Sequence, residues 1–273
     1  MKNVVKNSGE LVPFDERKIL ESLKRAGTNT NTIDLVLHEV KNAIYNGIST
    51  KKIYSLTHKY LKQFSQLESS RYKLKQSIMS LGPSGYPFEK LVGEILKVMG
   101  FEVQVGIQMQ GKCVQHEVDV FAEKGNQQFI VECKFHNRQG YKSDVKVPLY
   151  IDSRFRDLKN SIDPTSGKTM NGWIVTNTRF TIDAIKYAEC AGMKIMSWDY
   201  PKNQSLKGII TKLNLHPITS LTNLNKREKE ELLANDIIIC RNALERPQVV
   251  SEVIKDDKKR RKVFKQIELM CGV

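Results

Sequence analysis

The sequence predicts an α/β chain: a mostly helical N-terminal segment with a small β cap, a central core in the order αβββαβ, and a small helical C-terminal module. Three observations carry this prediction. Residues 113–136, CVQHEVDVFAEKGNQQFIVECKFH, read as two strands about a tight turn. An amphipathic pattern precedes them, with Phe88, Leu91, Val92, Ile95, Leu96 and Met99 on one helical face. Behind them, Trp173-Ile174-Val175-Thr176 and Lys194-Ile195-Met196 flank a helical stretch, an order that requires parallel pairing through a crossover helix.

Taken in order, Asn3-Val4-Val5-Lys6 is a short strand, Asn7-Ser8-Gly9 a turn, and Leu11-Val12 its continuation. Asp15 is placed to cap a helix bearing Ile19, Leu20, Leu23 and Ala26, which stops near Gly27. A second helix follows Thr32, with Ile33, Val36, Leu37, Val40 and Ile44 in register, and Gly47 ends it. Thr50 starts a third, and Arg71-Tyr72-Lys73-Leu74-Lys75 lies in a fourth. Residues 81–87, LGPSGYP, break the pattern and mark a boundary before the amphipathic helix. Phe101, Val103 and Val105 then alternate as a strand.

The hairpin gathers charge. Val118 and Val120 alternate with Glu117, Asp119 and Phe121, and Lys124-Gly125-Asn126 supplies the turn. Residues two apart on a strand share a face, so Glu132 lies beside Lys134, and Glu117 beside Asp119. Two carboxylates and an ammonium in one cluster suit a hard divalent cation, which prefers oxygen ligands. Water polarised by such a metal, close to a lysine, is a nucleophile for a phosphodiester.

After the hairpin, His136, Arg138, Tyr141, Lys142 and Lys146 form a basic segment, and Phe155, Leu158 and Ile162 mark a helix that includes Arg154 and Arg156. Next to a phosphodiester site these cations would hold nucleic-acid phosphates; a charged, solvated helix surface has the same composition. His136 is read as an aid to metal or phosphate binding, or as a polar surface residue. Beyond residue 206, Lys226 to Ala234 reads as a helix, residues 249–254 as another, and 258–262, KKRRK, as a backbone contact or a solvated face.

Composition limits the partners. The chain has 273 residues, 40% apolar and 27% charged, with no run long enough to span a bilayer. The start MKNVVKNSGELVPF has no secretory apolar region, and five scattered cysteines without ligand spacing read as reduced thiols, so a cytoplasmic location is expected. The net charge of +14 is uneven: 14 Lys/Arg against 7 Asp/Glu in residues 1–80, 16 against 14 in 81–205, and 14 against 9 in 206–273. Basic flanks around a balanced centre favour a polyanionic partner. No G-x-x-x-x-G-K-[ST] sequence is present, so ATP hydrolysis by a P-loop is not expected.

At Asp119, Glu132 and Lys134 the chain resembles the PD-(D/E)xK nuclease superfamily, in particular the type IV (Mrr-like) restriction endonuclease domain and the archaeal Holliday-junction resolvases. Val118 stands where the family's name has proline. The resemblance implies that Asp119, Glu132 and the carbonyl of Cys133 hold Mg2+ or Mn2+, with Lys134 orienting the attacking water. It also implies a metal-site role for Glu89, whose other reading is a first-turn acid favourable to the helix dipole. Residues 4–19 (VVKNSGELVPFDERKI), 47–54 (GISTKKIY) and 71–78 (RYKLKQSI) resemble the ATP-cone, which implies that Lys6, Lys18 and Thr50 contact ATP or dATP. Asn7 stands where the cone often has arginine after the lysine. The C-terminal module has a faint likeness to a helix-hairpin-helix, without the usual glycines.

The expectation is therefore an ATP-cone over 1–82, an endonuclease-like domain over 83–205 and a basic helical module over 206–273. The expected activity is Mg2+-dependent DNA cleavage under ATP or dATP control, by a homodimer or higher homo-oligomer, in restriction or repair. The rivals are a nucleotide-sensing DNA-binding regulator with an idle nuclease site, and a structure-specific resolvase.

Overall fold

The computed structural model describes every residue except 1, 7, 139 and 162–166, and the side chain of residue 66. Asn7 in the first turn and Ile162 in the helix after the hairpin thus lie outside the described residues. The N-terminal part begins with β1 (Asn3–Val5) paired antiparallel with β2 (Leu11–Pro13) through Val4↔Val12. A third strand, β3 (Ile48–Ser49), lies parallel to β1 and was not foreseen, because two residues carry no periodic signal. Gly47, at φ 83°, turns the chain into it.

Helices α1 (Glu16–Arg25) and α2 (Thr30–Ala43) lie between β2 and β3, and α3 (Thr50–Phe64), α4 (Gln66–Tyr72) and α5 (Leu74–Met79) follow β3. The Asp15 side chain accepts from Arg17 N–H and caps α1 as expected. α2 starts earlier than Thr32, because the Asn29 side chain accepts from Thr32 N–H. The expected fourth helix is two, divided at Lys73 (φ −88°, ψ 4°). Leu23, Val36, Val40, Ile48 and Leu61 fill the core between cap and helices.

The central sheet has the order β10-β8-β6-β5-β4. Its strands are β4 (Glu102–Gln110), β5 (Gln115–Lys124), β6 (Gln127–Lys134), β8 (Thr169–Thr176) and β10 (Lys194–Met196). β4, β5 and β6 form an antiparallel meander, whereas β6, β8 and β10 run parallel. A separate parallel pair, β7 (Lys142–Ser143) and β9 (Arg179–Phe180), ties the segment after the hairpin to the loop after β8. Helix α6 (Tyr86–Val98) buries Phe88, Leu91 and Ile95 in one core with Val120, Phe129, Val131 and Trp173. Helices α7 (Lys146–Lys159) and α8 (Ile182–Cys190) share the other core with Ile130 and Ile174.

Alternation along β5 breaks at one place. Val120 and Ala122 join the α6 core, but Val118 joins the opposite one. The pairs Val105↔Val120 and Ile107↔Val118 flank this change, and Gly106 between them has φ 67°. A glycine accepts that conformation without Cβ strain, and because the register is the same on both sides the change is a local twist with no inserted residue. The simple period of two expected across 117–121 is therefore corrected at Asp119.

The C-terminal part comprises α9 (Leu206–Lys212), a 3-10 turn at Ile218–Ser220, α10 (Lys226–Ala234), α11 (Cys240–Glu245), α12 (Pro247–Val253) and α13 (Asp257–Cys271). It is bound to the N-terminal helices: the Thr219 hydroxyl donates to the Ser77 carbonyl at 2.7 Å, and Gln266 Nε2 to Ser70 Oγ at 3.1 Å. Residues 81–87 do not separate cores either, since Leu74, Ile78 and Leu81 are buried together with Phe88.

Candidate active site

Asp119 and Glu132 come together where the β5–β6 ladder ends. Backbone pairing runs from Lys124↔Gln127 to Val120↔Val131. Just beyond it, the N–H of Cys133 donates to Asp119 Oδ2 at 2.7 Å, so a carboxylate takes a donor that a sheet carbonyl would otherwise take. Glu132 is buried, at 4% exposure, which is unusual for a glutamate and requires cationic partners. It has two: Lys134 Nζ lies 2.6 Å from Oε1, and Arg154 Nη1 lies 2.7 Å from Oε2. Arg154 also donates to the Glu117 carbonyl, which fixes α7 to β5 as well as to β6.

Burial and neighbouring charge raise the proton affinity of Asp119 and of Glu89. Burial and the Glu132 charge push Asp119 up to about 6, against the Cys133 N–H, Lys134 and Arg154. Burial and the charges of Asp119, Glu117 and Glu132 push Glu89 up to about 7, with Lys134 opposing. Glu89 stands in the first turn of α6, close enough to the strand carboxylates to respond to their charge. Among the described residues no three His, Cys, Asp or Glu side chains form a ready-made metal cage. The chemistry of the residues nonetheless fits a hard cation, which prefers oxygen: Asp119 and Glu132 are carboxylates at adjacent strand ends, with the Glu89 carboxylate near, and a cation would offset their charge.

Surrounding residues order the strand end. Thr176, completely buried, donates from Oγ1 to the Lys134 carbonyl at 2.7 Å. Asn177 clamps the next backbone unit, accepting from His136 N–H at 2.9 Å and donating to its carbonyl at 2.8 Å. These hydrogen bonds hold the end of β6 in place. His136 bonds through Nε2 to Ser143 Oγ at 3.0 Å and packs on Tyr141, and burial together with Lys134 holds its pKa below the usual histidine value. The Cys133 thiol is buried, and its proton affinity is raised by that burial and by Asp119.

The residues expected to touch DNA separate into groups. Arg138 and Lys142 are exposed after β6, and His136 is half-buried. Arg154 is turned onto Glu132, and no side-chain periodicity distinguishes that from a solvent-facing arginine. Arg156 is directed elsewhere, pairing with Asp152 at 2.6 Å beside Gly192. Lys6, Lys18 and Thr50, by contrast, share one cavity of about 260 Å3 under the β cap. Its wall includes Tyr54 and Tyr72, stacked at 4.9 Å, which the sequence did not single out.

A mixed sheet flanked by helices, with an Asp and a Glu-x-Lys at adjacent strand ends, defines the restriction-endonuclease class. The comparisons agree. Residues 82–202 match the restriction endonuclease family model, residues 2–79 the ATP cone domain, and residues 216–271 the AF1548-like C-terminal family. An uncharacterized protein of Archaeoglobus fulgidus is 32% identical over 182 residues, 66% of this chain and 100% of that protein. The crystal structure of AF1548, a protein of unknown function, superposes with a TM-score of 0.57 at 31% identity, covering 70% of this chain and 100% of that one. The chain belongs to this AF1548-like family of restriction-endonuclease-domain proteins, and it carries an ATP cone domain. Among the described residues no helix is long and apolar enough to cross a membrane.

Proposed function

We propose that the protein is a cytoplasmic, Mg2+- or Mn2+-dependent DNA endonuclease whose activity responds to ATP or dATP bound in the cone. The supporting observation is the joint placement of Asp119, Glu132 and Lys134 at one end of β5 and β6. In this reading Asp119, Glu132, the Cys133 carbonyl and Glu89 would hold the ion, which would supply Lewis-acid stabilisation and make water more acidic. Lys134 orients the attacking water and stabilises charge growing on the phosphoryl oxygens as one P–O bond forms and another breaks. Arg154 keeps Glu132 in position, while Arg138, Lys142 and His136 meet the phosphates on either side. The proposed units are an ATP cone over 1–82, a nuclease domain over 83–205 and a basic module over 206–273. A two-fold pair of chains would match the two strands of a duplex.

The test incubates plasmid, methylated plasmid and four-way junctions with the full chain, with and without Mg2+, Mn2+, ATP and dATP. Cleavage is expected only with a divalent cation, and Asp119→Ala, Glu132→Ala and Lys134→Ala should each abolish it. DNA binding without cleavage under every condition would instead support a nucleotide-sensing DNA-binding regulator. Cleavage confined to the junction would support a resolvase.

A further inference from the structure

A second cleft lies neither at the nuclease site nor in the cone cavity. It has a volume of about 670 Å3 and opens between α3, the α4–α5 junction and α10. Helix α3 separates it from the cone cavity, giving Thr50, Tyr54 and Thr57 to the cavity but His58 and Lys62 to the cleft. Lys73 enters from the α4–α5 junction, and Lys226 and Lys229 from α10. The floor is a seam between the two ends of the chain, where Ser220 Oγ bonds to Ser77 Oγ at 2.9 Å.

The cations of this cleft are poorly compensated. Among the described residues, Lys62, Lys73 and Lys229 make no ion pair, and the single lining carboxylate, Glu230, lies 3.6 Å from Lys226. Elsewhere the chain does pair such groups, as with Lys259 and Glu228 at 2.5 Å. Among the described residues, Lys229 donates only to the Thr219 carbonyl, at 2.8 Å. The charges also face one another. Burial, then Lys62, lowers the proton affinity of Lys73; burial, then Lys73 and Lys62, lowers that of Lys229 and brings His58 down to about 4. Holding like charges together in a half-buried cleft is unfavourable unless an anion joins them.

We propose that this cleft is a second anion site, which takes the oligophosphate group of a small ligand such as a free nucleoside di- or triphosphate and thereby joins the cone to the C-terminal module. Three elements converge on a concave space of ligand size, with hydroxyls on its floor, rather than presenting a flat basic stripe. The site is independent of the nuclease reading and of the cone cavity.

Inorganic tripolyphosphate, titrated into the metal-free full chain at low ionic strength, tests it by calorimetry and thermal unfolding. The wild type should bind and melt at a higher temperature with the ligand. Lys62→Met/Lys73→Met removes two repelling charges, so it should fold with an unchanged or raised Tm, yet bind at least tenfold more weakly at this site. The exposed single variant Lys62→Glu should show the same direction, and Lys18→Ala should retain the binding. No binding by the wild type, equal binding by the cleft variants, or complete loss in Lys18→Ala would each overturn the proposal. A tenfold loss of duplex affinity in the cleft variants with tripolyphosphate binding intact would overturn it in favour of a nucleic-acid backbone.

Discussion

Arg154 and Glu132, 22 residues apart in sequence, form a 2.7 Å ion pair in which the carboxylate is almost entirely buried. The helix α7 thus reaches the end of β6 and engages one oxygen of Glu132, while Lys134 engages the other. Arg154→Ala should leave a buried carboxylate with half of its compensation, at a cost of about 1–3 kcal/mol. Urea unfolding checks this: the loss should shrink in an Arg154→Ala/Glu132→Gln background, because the two sites are coupled. Cleavage by Arg154→Ala should also fall, through displacement of Glu132.

Gly172 in β8 faces Phe155 of α7, and a Cβ at that position would overlap the aromatic ring. The ring is held in the core and is not the end of a flexible chain. Gly172→Ala should therefore destabilise the protein by about 1–3 kcal/mol, the usual cost of overpacking. Because Phe155 adjoins Arg154, the same change should reduce cleavage. Gly125→Ala, at an open turn, should cost less and leave activity unchanged.

His216 is fully buried with neither ring nitrogen hydrogen-bonded among the described residues. Burial, and secondarily the charge of Arg71, brings its pKa down to about 4. The unfolded chain, with a histidine pKa of about 6.5, binds more protons than the folded one between those values. Stability should thus be lost as pH falls from about 6.5 towards 4. Asp119 and Glu89, raised by their surroundings, act in the opposite direction over an overlapping range. The difference between wild type and His216→Leu isolates the histidine: the variant should lose less stability between pH 7 and 4.

The cone cavity brings Lys6 and Lys18 against the stacked pair Tyr54–Tyr72. ATP or dATP should bind without turnover, and Lys18→Ala should weaken it at least tenfold in calorimetry. Tyr54→Ala should weaken it as well, whereas Tyr45→Ala, an exposed tyrosine outside the cavity, should not. Nucleotide that shifts the oligomer distribution, read by light scattering, should change the cleavage rate in parallel; binding with neither response would make the cone a structural cap.

Local patterns made much of this protein legible. The spacing of Phe88, Leu91 and Ile95 determined α6, the turn at Lys124-Gly125-Asn126 determined the β5–β6 hairpin, and Asp15 determined the start of α1. Glu132 and Lys134 fell side by side because a strand repeats every two residues. These features depend on neighbours in the chain, and sequence records neighbours.

Contacts between distant segments were decided by the tertiary structure. The turn of β5 at Asp119 depends on Gly106 in another strand, and the direction of Arg154 depends on where the buried charge of Glu132 lies. The basic cleft exists because Ser77 meets Thr219 and Ser220, more than a hundred residues away. Sequence determined which side chains could carry charge and which faces had to be buried. Only the packed chain decided which charges became partners, because ion pairs and clefts follow from distances in space and the low dielectric between elements, and neither is a property of spacing along the chain.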